Sequence, residues 1–192
     1  MLFSLKSFGQ RTRQSMQVTT TNLPGVLLIK PRVFSDQRGF FLETFQQERY
    51  RSAGIDACFV QDNHSRSSRG TLRGLHFQKT MPQGKLVSVG SGCVFDVVAD
   101  INPDSPTFGQ HFSVELDDSN HWQLWIPPGY AHGFCVLSET ADFHYKCTSY
   151  YAPDDEAGII WNDPQLAIDW PVQQPLLSVK DQQLPQLSQY LQ

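Results

Sequence analysis

The sequence is poor in charged residues and has no long apolar run. Asp, Glu, Lys and Arg make up 18% of its 192 residues, whereas 40% are apolar and 12% are aromatic. Average soluble domains carry about 25% charged residues, and disordered chains have few aromatic ones. No stretch approaches the roughly 20 apolar residues that a membrane-spanning helix needs. The composition predicts one compact domain with a sizeable core and no membrane partner.

An excess of positive charge is also missing, since the formal net charge is -4. Proteins that bind nucleic acids generally carry a basic patch or stripe. We therefore expect no nucleic-acid partner. A few clustered arginines on an acidic protein can still bind a small anion, so the charge leaves a small anionic ligand open.

Cysteine is scarce and shows no metal-binding or redox spacing. The four residues are Cys58, Cys93, Cys135 and Cys147, and no pair has the CxxC pattern. Each lies in an apolar, strand-like run, where cysteine behaves as a small apolar residue. We predict four buried free thiols in a reducing compartment, which favours a cytoplasmic protein over a disulfide-bonded one.

Acidic residues are absent from the N-terminal segment, and the first one is Asp36. Residues 1–16 are basic but lack the apolar core of a secretory signal. A transit-like peptide is one interpretation of this segment. We prefer an extension outside the fold, or a start assigned too early with Met16 as the true start. The predicted domain covers residues 17–192.

Most of the chain has the pattern of short strands. Apolar and β-branched runs recur at intervals of about ten residues and are separated by Gly, Pro, Asn and Asp turns, which predicts an all-β sandwich or barrel. Alternation from Cys93 to Ile101 predicts a strand with two different faces. Short helices are predicted only at residues 46–54 and 184–191, and no linker or repeat divides the chain.

Four polar side chains stand in strands that otherwise resemble core. Arg73, His76 and Gln78 occur in LRGLHFQ, and Lys85 begins KLV. Burying such groups without partners costs about 1–3 kcal/mol or more each, so they predict a wet cavity or strong internal bonding. His76 suits a general base because its neutral form is available near pH 7.

Strand alternation sets the expected directions of these side chains. It places His76 on one face with Leu72, Gly74 and Gln78, and Gly74 would leave open space beside the histidine. Arg73 would point to the opposite face. If Arg73 and His76 serve one pocket, the strand requires a β-bulge.

The segment DFHYKCT contains the second candidate. Alternation groups Tyr145 with Phe143 and Cys147 on an apolar face that should point into the barrel. The Tyr145 hydroxyl would then lie inside, either as a core tyrosine with a satisfied hydrogen bond or as an acid.

A metal site is expected to be missing. Residues 127–132 have the form PxGxxH, the second half of the cupin signature, ending at His132. The first half should offer HxH and a glutamate, but His76 is followed at that spacing by Gln78 and then by Lys85. Two histidines and one glutamine are a poor ligand set for a transition metal, and Lys85 would place positive charge there.

Taken in order, these segments resemble the dTDP-4-dehydrorhamnose 3,5-epimerase family over residues 18–185. The matching pieces are VFSDQRGFFLETF, FVQDNHSRSSRGTLRGLHFQ, QGKLVSVGSGCVFDVVADI, SPTFG, QLWIPPGYAHGF, YKCTSYYAP, IIWNDPQLAIDWP and LSVKD. The resemblance implies a cupin-type jelly roll (a double-stranded β-helix) with short peripheral helices. It also implies a homodimer that uses neither a metal nor an organic cofactor.

The resemblance also assigns roles. His76 would be the base and Asp181 the carboxylate that orients it. Tyr145 would be the acid on the other face of the sugar, and Lys85 would stabilise the enolate oxygen. The implied substrate-binding residues, some reaching across the dimer, are Arg38, Glu43, Gln61, Asn63, Arg73, His132 and Lys180. By themselves Lys180-Asp181, residues 36–39 and residues 61–63 would be interpreted as plain surface or turn.

Two positions depart from the family pattern. Ser88 and Asn102 stand where the family often has arginine, which puts the affinity for the nucleotide in doubt. Neither is a core catalytic position.

The implied reaction converts dTDP-4-dehydro-6-deoxy-D-glucose to dTDP-4-dehydro-L-rhamnose, as an isomerase in dTDP-L-rhamnose and polysaccharide biosynthesis. The alternatives are an epimerase acting at C3 or C5 alone, and a metal-binding cupin of another function. The presence of Tyr145 favours inversion at both carbons.

Overall fold

The computed structural model describes residues 15–190, and two antiparallel sheets dominate this range. The strands are β1 Gln17–Thr20, β2 Leu27–Lys30, β3 Val33–Asp36, β4 Gly39–Leu42, β5 Gln61–Ser68, β6 Leu72–Gln78, β7 Lys85–Ser91, β8 Cys93–Asp100, β9 His111–Asp117, β10 Gln123–Ile126, β11 Tyr130–Val136, β12 Thr140–Cys147 and β13 Glu156–Gly158. The helices are α1 Gln47–Ser52, a 3₁₀ turn Asp181–Gln183 and α2 Leu187–Tyr190.

The two sheets face each other as in a jelly roll. One has the strand order β1-β2-β10-β7-β12-β5, and the other has the order β13-β6-β11-β8-β9. From β5 to β8, and again from β9 to β13, the chain alternates between the sheets. The all-β prediction with short peripheral helices is confirmed, although both predicted helices are shorter than expected. The remaining pair, β3–β4, forms a separate hairpin.

Alternation along the strands separates two cores. In β8, Val94 and Val98 pack between the sheets, whereas Val97 and Ala99 pack on the outer side of the five-stranded sheet. The C-terminal segment covers this outer side with residues such as Trp170. The two faces predicted for the strand after Cys93 are therefore both buried, in different clusters.

A third cluster lies against the six-stranded sheet. Tyr50 of α1 and Ile55 pack on Ile29, Leu86 and Trp125. The α1 helix ends two residues before Gly54, which adopts a φ of 95° that favours glycine.

All four cysteines are free thiols, as predicted. Cys135 and Cys147 are buried and Cys93 is partly buried. The prediction of burial is wrong for Cys58, which is exposed in the loop before β5.

The predicted extension 1–16 lies outside the described residues except for Ser15 and Met16, so the domain boundary at residue 17 stays a prediction. Between residues 15 and 190, no helix combines the length and the apolar character needed to cross a membrane.

Candidate active site

A cavity of about 730 Å³ opens between the sheets, beneath the C-terminal segment. Strands β5, β6, β7, β11, β12 and β13 contribute side chains to it, together with residues 176–181. Its polar lining includes Gln61, Asn63, Ser65, Arg73, His76, Gln83, Lys85, His132, Tyr145, Tyr151, Glu156, Ser178, Lys180 and Asp181. The cavity predicted from the polar residues of β6 and β7 is therefore present. Gln78, predicted to share the face of His76, does not line it and is instead buried with hydrogen bonds to the backbone of Met81, Tyr150 and Ala152.

A short polar contact in the cavity joins His76 to Asp181. His76 Nε2 lies 2.5 Å from Asp181 Oδ1, although the two residues are 105 positions apart in sequence. Burial raises the pKa of Asp181, but the hydrogen bond to His76 and the proximity of the ring outweigh it, so this pKa is lowered. An ionised carboxylate only accepts hydrogen bonds, so Nε2 carries the proton and donates it. The lone pair is then on Nδ1, which is free to accept a proton from a ligand.

The bulge that the sequence required is found in β6. His132 of β11 pairs with His76, and Phe134 pairs with Arg73, so three steps along β6 match two steps along β11. The extra residue reverses the alternation, and Arg73 and His76 both face the cavity. Leu72 was predicted to share the His76 face, but its side chain packs in the outer cluster.

The role predicted for Gly74 needs a correction. A side chain there would not enter open space, because a Cβ would lie 2.5 Å from Gly133 Cα. Gly74 also has a φ of 138°, a conformation that side chains disfavour. Glycine at this position lets β6 and β11 approach closely and so supports the bulge.

Tyr145 projects into the cavity from the opposite sheet. It lies on β12, whereas His76 lies on β6, so the two side chains come from facing walls. Burial raises the pKa of Tyr145, with a smaller contribution from Cys147. Its hydroxyl makes no hydrogen bond to any residue in the range 15–190, so it is a protonated donor available to a ligand.

Lys85 stands beside Tyr145 on the same sheet. It begins β7 and pairs with Cys147 of β12, two residues after Tyr145. Burial lowers the pKa of Lys85, an effect opposed by Cys147, Glu156 and Asp96. Its ammonium has no ion-pair partner within 4.0 Å among the described residues. A cation held in this way can stabilise negative charge that develops on a ligand.

His132 is buried next to the base. Its Nε2 lies 3.0 and 3.1 Å from the two oxygens of Asp96, which is fully buried. The PxGxxH histidine is therefore held by a carboxylate and contributes its ring to the cavity wall.

Four predicted binding residues line the cavity. Gln61 and Asn63 are two residues apart on the same face of β5, and Gln61 Nε2 donates a 3.0 Å hydrogen bond to Asn63 Oδ1. Arg73 donates to Ser67 Oγ at 3.1 Å, and Lys180 pairs with Glu156. These side chains place two cations where a diphosphate could bind.

Arg38 and Glu43 are not brought to the cavity of their own chain. Arg38 is 89% exposed at the tip of the β3–β4 hairpin and pairs with Asp36. Glu43 pairs with Arg49. Ser88 and Asn102, the two departures from the family pattern, also lie away from the cavity.

Sequence reasoning missed several cavity residues, above all Glu156 and Tyr151. Tyr151 Oη donates to Glu156 Oε2 at 2.6 Å. Glu156 follows two other acids, Asp154 and Asp155, and such a run is typical of a solvated loop. No local pattern distinguishes it, because only the pairing of β13 with β6 brings it to the cavity.

Within residues 15–190, no cluster of three or more His, Cys, Asp or Glu side chains has an arrangement that could hold a metal ion.

Known proteins resemble this chain over most of its length. The model of the dTDP-4-dehydrorhamnose 3,5-epimerase family matches residues 20–189. A relative of that name from Pseudomonas aeruginosa is 55% identical over 170 residues, covering 88% of this chain and 94% of its own.

Solved structures share the fold. A dTDP-6-deoxy-D-glucose-3,5-epimerase from Legionella pneumophila, in complex with dTDP-4-keto-L-rhamnose, matches with a TM-score of 0.88 and 53% identity, covering 90% of this chain and 93% of that one. A 3'-monoepimerase from Streptomyces bikiniensis, in complex with dTDP-quinovose, matches with a TM-score of 0.83 and 35% identity, covering 88% and 86%. These matches confirm the jelly-roll fold.

Proposed function

The chain belongs to the dTDP-4-dehydrorhamnose 3,5-epimerase family, and on that premise we propose how its residues perform the reaction. It is an isomerase that inverts C3 and C5 of dTDP-4-dehydro-6-deoxy-D-glucose, giving dTDP-4-dehydro-L-rhamnose. The observation that carries the mechanism is the placement of His76 and Tyr145 on facing walls of one cavity.

The C4 ketone acidifies the hydrogens on its neighbours C3 and C5. His76 Nδ1 removes one of these hydrogens as a proton, and the C–H electron pair moves into an enolate whose oxygen lies at C4. The Asp181 carboxylate stabilises the imidazolium that forms, through the 2.5 Å contact at Nε2. The partly buried ammonium of Lys85 stabilises the enolate oxygen.

Inversion requires that a different proton reach the carbon from the other face. The Tyr145 hydroxyl on the opposing sheet donates it, and its raised pKa keeps the phenol protonated near neutral pH. Before the second centre reacts, His76 releases the proton that it took and the Tyr145 phenolate regains one, both by exchange with water. Arg73 and Lys180 hold the diphosphate, so the sugar stays bound while its two centres react in turn.

The test is incubation with dTDP-4-dehydro-6-deoxy-glucose in D2O, followed by NMR of the product. Deuterium at both C3 and C5 supports double epimerisation, and deuterium at one carbon supports the single epimerase that is the alternative. The variant His76→Ala should leave both positions unlabelled. Exchange at both carbons in that variant would remove His76 as the base.

We also propose that the protein is a homodimer in which Arg38 and Glu43 act across the interface. The β3–β4 hairpin, which carries Arg38 and ends just before Glu43, exposes three aromatic rings, with Phe34 46%, Phe40 58% and Phe41 69% exposed. Apolar patches of this kind mark interaction surfaces. The hairpin therefore packs on a second copy, and Arg38 completes the cavity of its partner.

Mixed dimers test this arrangement. We expect both His76→Ala and Arg38→Ala to be impaired alone. In a mixed dimer, the Arg38→Ala protomer keeps its His76 and receives the partner's intact arginine, so one of two sites is complete. Activity near half of the wild-type value supports the shared site, and no recovery in a verified mixed dimer contradicts it.

We also place the enzyme in the cytoplasm. Two observations support this: all four cysteines are free and Cys58 is exposed, which suits a reducing compartment.

A further inference from the structure

Glu156 brings a second carboxylate to the base. It lies on β13, which pairs with β6 so that Gly158 is opposite His76. Its Oε1 is 3.9 Å from His76 Nδ1, the nitrogen that Asp181 leaves free. The Glu156 side chain is only 14% exposed, so solvent screens this charge little.

The other oxygen of Glu156 has two donors. Oε2 accepts from Tyr151 Oη at 2.6 Å and from Lys180 Nζ. Burial raises the pKa of Glu156, but these two hydrogen bonds and the proximity of His76 outweigh it, so the pKa is lowered. Glu156 is therefore ionised at neutral pH, and Lys180 is its counter-ion.

We propose that Glu156 is a positioning residue that sets the basicity of His76 and that Lys180 controls how strongly it does so. This role rests on the proposed function of His76 as the base. When Nδ1 takes a proton, the imidazolium lies between two carboxylates, with Asp181 at Nε2 and Glu156 beyond Nδ1. Both stabilise its positive charge.

Lys180 makes the effect of the Glu156 carboxylate depend on the ligand. A bound diphosphate attracts the same ammonium that Glu156 holds in the free protein. Once Lys180 moves to the phosphate, the Glu156 carboxylate is no longer neutralised and acts on His76 at full strength. The base is thus strongest when the anionic substrate is bound.

Other charged groups face the cavity but do not replace Glu156. Within residues 15–190, Asp181 and Glu156 are the carboxylates within 4.0 Å of the His76 ring nitrogens. Lys85 and Arg73 add positive charge, which weakens a base. Tyr145 is neutral, and the Asp96 charge is engaged by His132.

Two variants with opposite expected signs test the proposal in the substrate-free protein. NMR follows the His76 ring as a function of pH, with the signal assigned by its loss in His76→Gln. In Glu156→Gln the midpoint should fall, because the His76 ring loses a nearby carboxylate and instead faces the Lys180 ammonium that this carboxylate neutralised. In Lys180→Met it should rise, because Glu156 loses its counter-ion. An unchanged midpoint in Glu156→Gln, or equal signs in both variants, overturns the proposal.

Kinetics add a second readout. In Glu156→Gln, kcat should fall by about tenfold, following the weaker base, while KM does not rise because Lys180 is released to the phosphate. Glu156→Asp keeps the charge and should recover most of the midpoint and of kcat. A loss in Glu156→Asp as large as in Glu156→Gln would show that geometry rather than charge matters, and would overturn the proposal.

The matched control is Glu115→Gln. It removes one exposed carboxylate from β9, at the edge of the sheet opposite to β13, and should change neither readout. The NMR titration needs no substrate, so it decides the role of Glu156 even if the wild-type protein fails to exchange hydrogen at C3 and C5. A wild-type protein that does not exchange hydrogen at C3 and C5 would count against the proposed function alone.

Discussion

Replacing Lys85 by methionine should stabilise the protein while it removes most of the activity. The Lys85 ammonium is partly buried and has no ion-pair partner within 4.0 Å among residues 15–190. Its pKa is lowered because burial disfavours the charged form. The folded protein therefore tolerates this charge at a cost in stability. Methionine has a similar length and flexibility without the charge.

The expected gain is modest because the cavity is open to water. Burying an unpaired polar group costs about 1–3 kcal/mol, and we expect about 1–2 kcal/mol to be recovered. For a chain of this size, each kcal/mol corresponds to about 2–4 °C in Tm, so Tm should rise by roughly 2–8 °C. Activity should change in the opposite direction. Loss of one preorganised electrostatic stabiliser typically lowers kcat by about 10²–10³-fold.

The pH dependence of the stability difference follows from the lowered pKa of Lys85. Between the lowered folded pKa of Lys85 and its ordinary value of about 10.4, the unfolded chain binds more protons at this site than the folded one. Stability of the wild type therefore rises with pH in that window, relative to the variant. The advantage of Lys85→Met should be largest below the folded pKa of Lys85 and shrink as the pH rises from there toward 10.

Calorimetry of both proteins at several pH values, together with kcat for the epimerisation, measures these effects. The control is Lys79→Met, which removes an exposed lysine at the end of β6 and should shift neither Tm nor kcat appreciably. A Lys85→Met protein that is less stable than the wild type would refute the reasoning, because the ammonium would then have a stabilising partner. Full activity would refute its role at the enolate.

Two further substitutions have defined outcomes. Tyr145→Phe should still exchange hydrogen with D2O but give less inverted product, since the base is intact and the acid is lost; unchanged stereochemistry and rate would remove Tyr145 as the acid. Gly74→Ala should lower the free energy of unfolding by about 3 kcal/mol, from the 2.5 Å approach to Gly133 and the positive φ. Gly129→Ala shares a positive φ but meets nothing within 4 Å, so thermal denaturation should show a smaller loss there; equal losses would mean that crowding at Gly74 is unimportant.

Local patterns in the sequence determined which side chains share a face. Alternation in β12 placed Tyr145, Phe143 and Cys147 toward the interior, and the structure agrees. The polar residues of β6 and β7 predicted a cavity, and the spacing of turns predicted the all-β class. These inferences succeeded because successive side chains in a strand point to opposite faces, which is a property of the local backbone.

Tertiary structure decided which of these side chains meet. The bulge that turns Arg73 and His76 to one side depends on pairing with β11, where Gly133 leaves room for Gly74. Asp181 reaches His76 from 105 residues away, and in the sequence Lys180-Asp181 resembled an ordinary surface pair.

Glu156 and Arg38 are two residues whose positions the sequence patterns did not predict. Glu156 resembled a solvated loop residue, yet β-sheet pairing carries it to the base. Arg38 was expected among the ligand contacts, yet it lies on a hairpin outside the cavity of its own chain. The sequence alone was sufficient for the periodicity of each strand and for the chemical types in the site. Their distances depend on contacts between segments far apart in the chain, which local periodicity does not specify.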